Sequence, residues 1–219
     1  MFEVEAHHLI GRLAELPAAA LSPMINIGSG TLCHRSIDNP WIERVLIDGL
    51  RGRGIDVVHV DARDGEGIDI KADLFDDSQV ATIKAKAPRA VLCTNVLEHV
   101  AELARFCAAL GGLVETGGYL IVTVPRSYPY HRDPIDTMFR PTPQEIAALF
   151  PNFTPVVMEI QDTESYWYKL RQRPWLILRQ ILRAPFPFLG FTKWKRSMSK
   201  LYWLFAPYQQ SIFIGIKTA

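Results

Sequence analysis

Short apolar runs alternate with amphipathic stretches along most of this chain. Residues 5–16 space their apolar positions as a short amphipathic helix closed by Pro17. "MINI" (24–27) is a strand ending at Gly28. Asp38 and Asn39 as caps, Pro40 at the first helical position, and Trp41, Val45 and Leu46 on one face predict a second helix, stopping near Gly52 or Gly54. "IDVVHVD" (55–61), "IDIKADLF" (68–75), "RAVLCTN" (89–95) and "YLIVTVP" (119–125) read as strands, the last ended by proline. Between them, "VATIKAKA" and residues 98–115 are helical. In "TPQEIAALF", Thr142 as cap, Pro143 behind it and Glu145 on the same turn announce a short helix. "FTPVVMEIQ" and "QSIFIGIKT" complete the set of strands.

Strands alternating with helices at this spacing predict a mainly parallel, three-layer α/β sheet. The last two strands break the pattern, because an irregular basic and aromatic stretch separates them. The expected organisation is therefore one α/β domain over residues 1–162 and 210–219, with an insert at 163–209.

Composition sharpens this in one respect. The 219 residues are 48% hydrophobic and 21% charged, enough for a real core and too apolar for general disorder. The net charge of +1 hides an asymmetry. Residues 1–162 carry 14 Lys and Arg against 22 Asp and Glu, whereas residues 163–209 carry 9 against 1. Cys33, Cys93 and Cys107 form no Cys-x-x-Cys pair, so neither a disulfide framework nor a zinc site is expected, and no metal ligand set is read from the sequence. The N-terminus has no basic start followed by an apolar stretch, and no apolar run reaches membrane-spanning length. A reducing cytoplasmic setting is the expectation.

Ligands of an open parallel sheet bind beyond the carboxyl ends of its strands. Three features fall there. Gly28-Ser29-Gly30 follows the first strand and would let backbone amides approach a ligand closely. Asp61 ends the second strand and suits a ribose diol. Asp73 can accept from an exocyclic amine such as that of adenine. Each alone is a common turn or cap; their order points to an adenine nucleoside. The third glycine of the dinucleotide fingerprint is missing and there is no phosphate-binding loop, so NAD, ATP and a dinucleotide oxidoreductase rank low.

"INIGSG", "HVDARDGEGIDIKADL", "VLCTNVLEHV" and "ETGGYLIVTVP", in that order, resemble the class I S-adenosylmethionine-dependent methyltransferases, and within them the type 11 branch with a Leu-Glu-His signature. The resemblance covers roughly residues 20–160 and the final strand. It implies a Rossmann-like, seven-stranded sheet with its last strand inserted antiparallel, and S-adenosyl-L-methionine as cofactor. It also implies that Gly28 and Gly30, with Ser29 between them, lie against the methionine part, that Asp61 takes the ribose hydroxyls, that Asp73 and Leu74 take the adenine, and that Asn95 sits near the transferable methyl. One departure is the stretch "TLCHRSIDN" between the glycine turn and Pro40, where the family runs straight into a helix.

For the acceptor, "RSYPYHRDPIDTMFRPT" (126–142) follows a strand end and gathers His131, Asp133, Asp136 and Arg140. His131 is the candidate general base and Asp133 its orienting carboxylate, while Asp136 with Arg140 reads as a structural pair. His99 is the competing base, or a wall or cap; Glu98 is structural or near the cofactor. The insert predicts two short amphipathic helices, one around Trp175, Leu178 and Leu182 and one around Trp194, Met198, Leu201 and Phe205. Basic residues beside Trp and Phe fit a peripheral anchor over anionic lipid at the inner membrane face. A lid packed on the sheet is the alternative, and nucleic acid comes last. The expected function is O-methylation of a small or lipid-linked, glycan-type acceptor. Its rival is a non-catalytic module that keeps the fold and binds the nucleoside.

Overall fold

A computed structural model describes residues 1–131, 135–172, 175–183, 188, 190–204 and 206–218. Strands β1 (Met24–Ile27), β2 (Val57–Asp61), β3 (Ile70–Lys71), β4 (Ala90–Thr94), β5 (Tyr119–Ser127), β6 (Phe153–Asp162) and β7 (Gln209–Lys217) form one sheet. Their order is β3-β2-β1-β4-β5-β7-β6. β1 to β5 run parallel, and β7 lies antiparallel between β5 and β6. This is the predicted Rossmann-like sheet with its last strand reversed. The chain leaves β1 towards β2 on one side and later returns to β4 on the other, so the crevice of the sheet opens above β1 and β4.

Side chains alternate between two cores, as the period of a strand requires. Ile25, Ile27, Val91, Cys93, Leu120 and Val122 face one side, under helices α4 (Asp77–Lys84), α5 (Leu103–Gly112) and α6 (Pro143–Ala148). Met24, Leu92, Ile121 and Ile212 face the other, under α1 (Glu3–Ala14), α2 (Ala18–Leu21) and α3 (Asp48–Gly52). Cys93 and Cys107 are core fillers, and burial pushes the Cys107 thiol up to about 12. The capping box at Thr142 and Glu145 forms as predicted.

Four elements depart from expectation. The third strand shrinks to Ile70–Lys71, because at the sheet edge only two of its residues pair with β2. The helix expected over 98–115 splits into a 3-10 turn, Leu97–His99, and α5. The Glu98 carbonyl accepts the N–H and hydroxyl of Thr137, so it is not available to a continuing helix. Pro125 does not end β5, which runs on to Ser127 through a shift in its register with β7. The chain is already helical at His34–Asp38, ahead of the start expected at Pro40, with Asn39 ending that π-helical turn and not capping the next; a second π-helical stretch, Ile42–Ile47, then tightens into α3.

The insert holds α7 (Tyr166–Gln172), α8 (Trp175–Arg183), α9 (Phe191–Met198) and a 3-10 turn, Ser199–Leu204. Pro174 and Phe205 lie outside the described residues. Tyr166, Leu170 and Tyr208 bury a small third cluster against Phe2, Tyr128, Leu176, Ile177 and Trp203. That cluster ties the root of the insert to the start of α1 and to the loop after β5.

Candidate active site

A cleft of about 1040 Å³ opens over the carboxyl ends of β1, β2 and β4. Gly28, Ser29, Gly30, Asp61, Asp73, Leu74, Asn95, His99 and His131 all line it. Nine of the ten candidate residues thus share one cavity; Asp133 lies outside the described residues.

The glycine turn is shaped by its own backbone. Gly28 and Gly30 sit at φ +67° and +65°, which only glycine adopts without strain. A Cβ on Gly28 would stand 2.5 Å from Val96 Cγ2, and one on Gly30 2.8 Å from His34 Cδ2. The turn does not present free amides, contrary to the sequence expectation. Gly28 N and Ser29 N donate to the Val60 carbonyl, and Gly30 N donates to Asp61 Oδ2 at 2.9 Å. The neighbouring β2 end consumes them.

Asp61 is therefore both clamp and ligand candidate. Its Oδ1 accepts from Arg63 N at 2.9 Å and from Arg63 Nε at 3.2 Å. Burial alone would raise its carboxyl, but the Arg63 and Gly30 donors outweigh it and hold it below the usual range. The carboxylate stays ionised. Asp73 is exposed, its Oδ1 accepting from Phe75 N, and Leu74 beside it is buried. Phe106 and Val96 add apolar wall.

Asn95 takes a left-handed conformation at φ 55°, and its side chain is engaged. Nδ2 donates to Glu5 Oε1 at 3.0 Å, and Oδ1 accepts from Gln210 Nε2 at 2.7 Å. Glu5, fully buried, also accepts from Thr123 Oγ1 at 2.9 Å and Phe2 N at 3.1 Å. Sequence reasoning missed Glu5 and Gln210. An acid in the first turn of a helix signals only a favourable dipole, so nothing in the sequence marked Glu5 as interior.

At the other end of the cleft, Glu98, His99 and His131 converge, each offering one donor atom within 4.8 Å of the others. Glu98 is 1% exposed, and burial lifts its carboxyl to about 7. His99 Nδ1 bonds to the Ile135 carbonyl. The His131 and His99 rings meet edge to face with centroids 5.2 Å apart. Burial lowers the His131 imidazole against the opposing pull of Asp136. Asp136, not read as a partner of His131 from sequence, lies with Oδ2 3.2 Å from its Nδ1. Arg140 Nη2 holds that same oxygen at 2.7 Å, and Asp136 is pulled down to about 2: burial opposes, but the bonds from Arg140, His131 N and Met138 N prevail. Tyr128, in the third cluster, packs edge-on to His131 at 5.3 Å. The insert is thereby connected to this end of the cleft.

The architecture recurs among solved structures. Coclaurine N-methyltransferase bound to N-methylheliamine and S-adenosylhomocysteine superposes at a TM-score of 0.54 and 11% identity, over 98% of this chain and 72% of that one. YjhP from E. coli does so at 0.52 and 15%, over 97% and 92%. A protein assigned as a sarcosine dimethylglycine methyltransferase from Galdieria sulphuraria gives 0.52 and 12%, over 98% and 84%. No protein-family model and no curated protein sequence matches the chain. At these identities the likeness establishes the fold, that of class I methyltransferases.

Proposed function

We propose that this chain is an S-adenosylmethionine-dependent methyltransferase acting on a hydroxyl of a small or lipid-linked, glycan-type acceptor. The observation that carries the reading is one continuous cleft, with nucleoside-type groups at β1–β3 and proton-accepting groups at β4–β5. The donor set fits the cofactor. Ionised Asp61 retains lone pairs for a diol, and Leu74, Val96 and Phe106 offer apolar walls to a planar base with Asp73 at its edge. Bound there, S-adenosylmethionine supplies an electrophilic methyl group on a sulfonium. The chain's own part is to hold the acceptor in line and to take its proton. A neutral amine, the kind of acceptor that an N-methyltransferase uses, needs no base before attack. Three proton-accepting groups gathered at one end of the cleft favour a hydroxyl instead.

The lipid-linked reading draws on α8. Trp175, Leu178, Ile181 and Leu182 are 55%, 59%, 64% and 61% exposed on a helix within the basic insert. Arg179 sits over the Trp175 ring at 4.9 Å. An apolar face that is exposed among the described residues, in a basic segment, suits an anionic lipid surface. Among the described residues no helix is long and apolar enough to cross a membrane.

The test is titration with S-adenosylhomocysteine. Micromolar binding by the wild type and a loss of at least about tenfold, some 1.4 kcal/mol, in Asp61→Ala and Asp61→Asn are expected, with both variants folded by circular dichroism. A wild-type chain that takes up none at about 1 mM ends the cofactor reading. Tight binding without transfer to any hydroxyl acceptor would instead identify the non-catalytic module.

A further inference from the structure

We infer that Glu98, His99 and His131 form a binding site for a divalent first-row transition ion at the acceptor end of the cleft. The inference rests on the methyl-transfer reading for the ion's role, though not for its binding. It departs from the sequence, where no ligand set is read.

The first argument is orientation. A carbonyl only accepts, so the His99 Nδ1 bonded to Ile135 O carries the hydrogen, and Nε2 presents its lone pair. That Nε2 lies 3.7 Å from Glu98 Oε1. His131 Nδ1 lies 3.2 Å from the Asp136 carboxylate but is buried and makes no hydrogen bond to it or to any other described residue. The His99 imidazole is thus backed by an oxygen acceptor, the arrangement that orients metal-bound histidines, and the His131 ring holds a buried nitrogen without a partner among the described residues. Asp136 is itself fixed by Arg140 and by the backbone N–H groups of His131 and Met138.

The second argument is independent. Glu98 Oε2 is buried and takes no hydrogen bond from any described residue. A buried carboxylate beside the His99 Nε2 lone pair, with a His131 ring nitrogen within 4.8 Å, leaves acceptors close to acceptors, and such a group requires a cation or a shared proton. Two nitrogen donors disfavour Mg²⁺ and Ca²⁺, which prefer oxygen, and favour Mn²⁺, Fe²⁺, Co²⁺ or Zn²⁺. Metal bonds of about 2.1 Å put donor atoms about 3.0–3.4 Å apart, so the three must close in from the 4.8 Å limit they now satisfy. The two histidine side chains, 24% and 30% exposed, have room to make that move. Three protein ligands leave coordination positions for one or two oxygens of an acceptor. With an ion bound, the three side chains would act as ligands in place of bases, and a hydroxyl held there would give up its proton to water near neutral pH, as metal-bound water does.

The experiment is titration of the full, chelator-stripped chain with Co²⁺, followed by visible absorption and calorimetry. One ion per chain is expected, with a ligand-field band, and at least tenfold weaker uptake by Glu98→Gln and by His131→Asn. The latter alters a partly exposed side chain and keeps the test open should Glu98→Gln fail to fold. S-adenosylhomocysteine affinity is measured on the same chains. No stoichiometric Co²⁺ or Zn²⁺ uptake, or equal uptake by a folded Glu98→Gln/His131→Asn chain, overturns the metal site and leaves a shared proton. Nucleoside binding without metal sinks this inference alone. Metal binding without nucleoside sinks the methyl-transfer reading alone.

Discussion

At the scale of single residues, burial decides what each ionisable group near the cleft can do. Asp61 stays charged in a buried position because backbone and guanidinium donors replace its water. His59, one strand position before Val60, shows the opposite outcome. It is 2% exposed, with Nε2 facing Arg51 Nη2 at 3.3 Å and Nδ1 facing the Asn26 amide group at 3.2 Å. Burial, reinforced by Arg35, pushes its imidazole down from 6.5 to about 4. Between those values the unfolded chain binds a proton that the folded chain refuses, so this contribution falls as pH falls. The sign follows from linkage: stability rises with pH where the unfolded state holds more protons. From pH 7 to pH 4 the wild type should lose about 3 kcal/mol, or roughly 10 °C in Tm, relative to a His59→Gln chain. Glu98, lifted by burial to about 7, also titrates over this range but is common to both chains. Parallel melting curves across that range would show that His59 is not held neutral.

Among the elements, the stretch after the glycine turn differs most from its sequence pattern. It coils in wide π-helical turns, and Arg35, 1% exposed, pins it: Nη1 donates to the Gly30 carbonyl, Nη2 to the Gly67 carbonyl, and Nε to Glu43. One guanidinium joins the glycine turn, the 65–67 loop and the following helix. The other element of consequence is α8, whose Leu176 and Ile177 pack inward while Trp175, Leu178, Ile181 and Leu182 face out. The proposed docking of α8 on lipid has a direct check. Leu178→Asp with Ile181→Asp should reduce co-sedimentation with phosphatidylserine vesicles at least tenfold and leave S-adenosylhomocysteine affinity unchanged. Equal sedimentation of the variant, or none by the wild type, would count against a membrane face and favour a soluble acceptor.

On the scale of the whole molecule, the site is held by contacts between remote parts of the chain. Glu5 gathers donors from Phe2, Asn95 and Thr123, and Gln210 closes the network on Asn95. Removing the carboxylate would strand buried donors from three segments. Glu5→Ala should cost about 3 kcal/mol and lower Tm by roughly 6–12 °C, measured by thermal melting. A change below about 1 kcal/mol would mean that the network relaxes onto other partners. The sequence by itself pointed to a mainly parallel, layered α/β sheet and to the groups at the strand ends of β1–β3, whereas the reversed last strand was implied by the family resemblance alone. Apolar period, caps, glycines and strand-end aspartates are local signals, and the switch point of a parallel sheet fixes where strand ends lie. Boundaries failed where a distant partner intervened, as when Thr137 claimed the Glu98 carbonyl and split the predicted helix. Only the tertiary structure decided that the turn's amides belong to β2, that Asp136 backs His131, that Glu5 lies beneath Asn95, and that Glu98 meets two histidines. Those pairings join residues tens of positions apart or turn on which way a side chain points after packing, and no spacing along the chain encodes that.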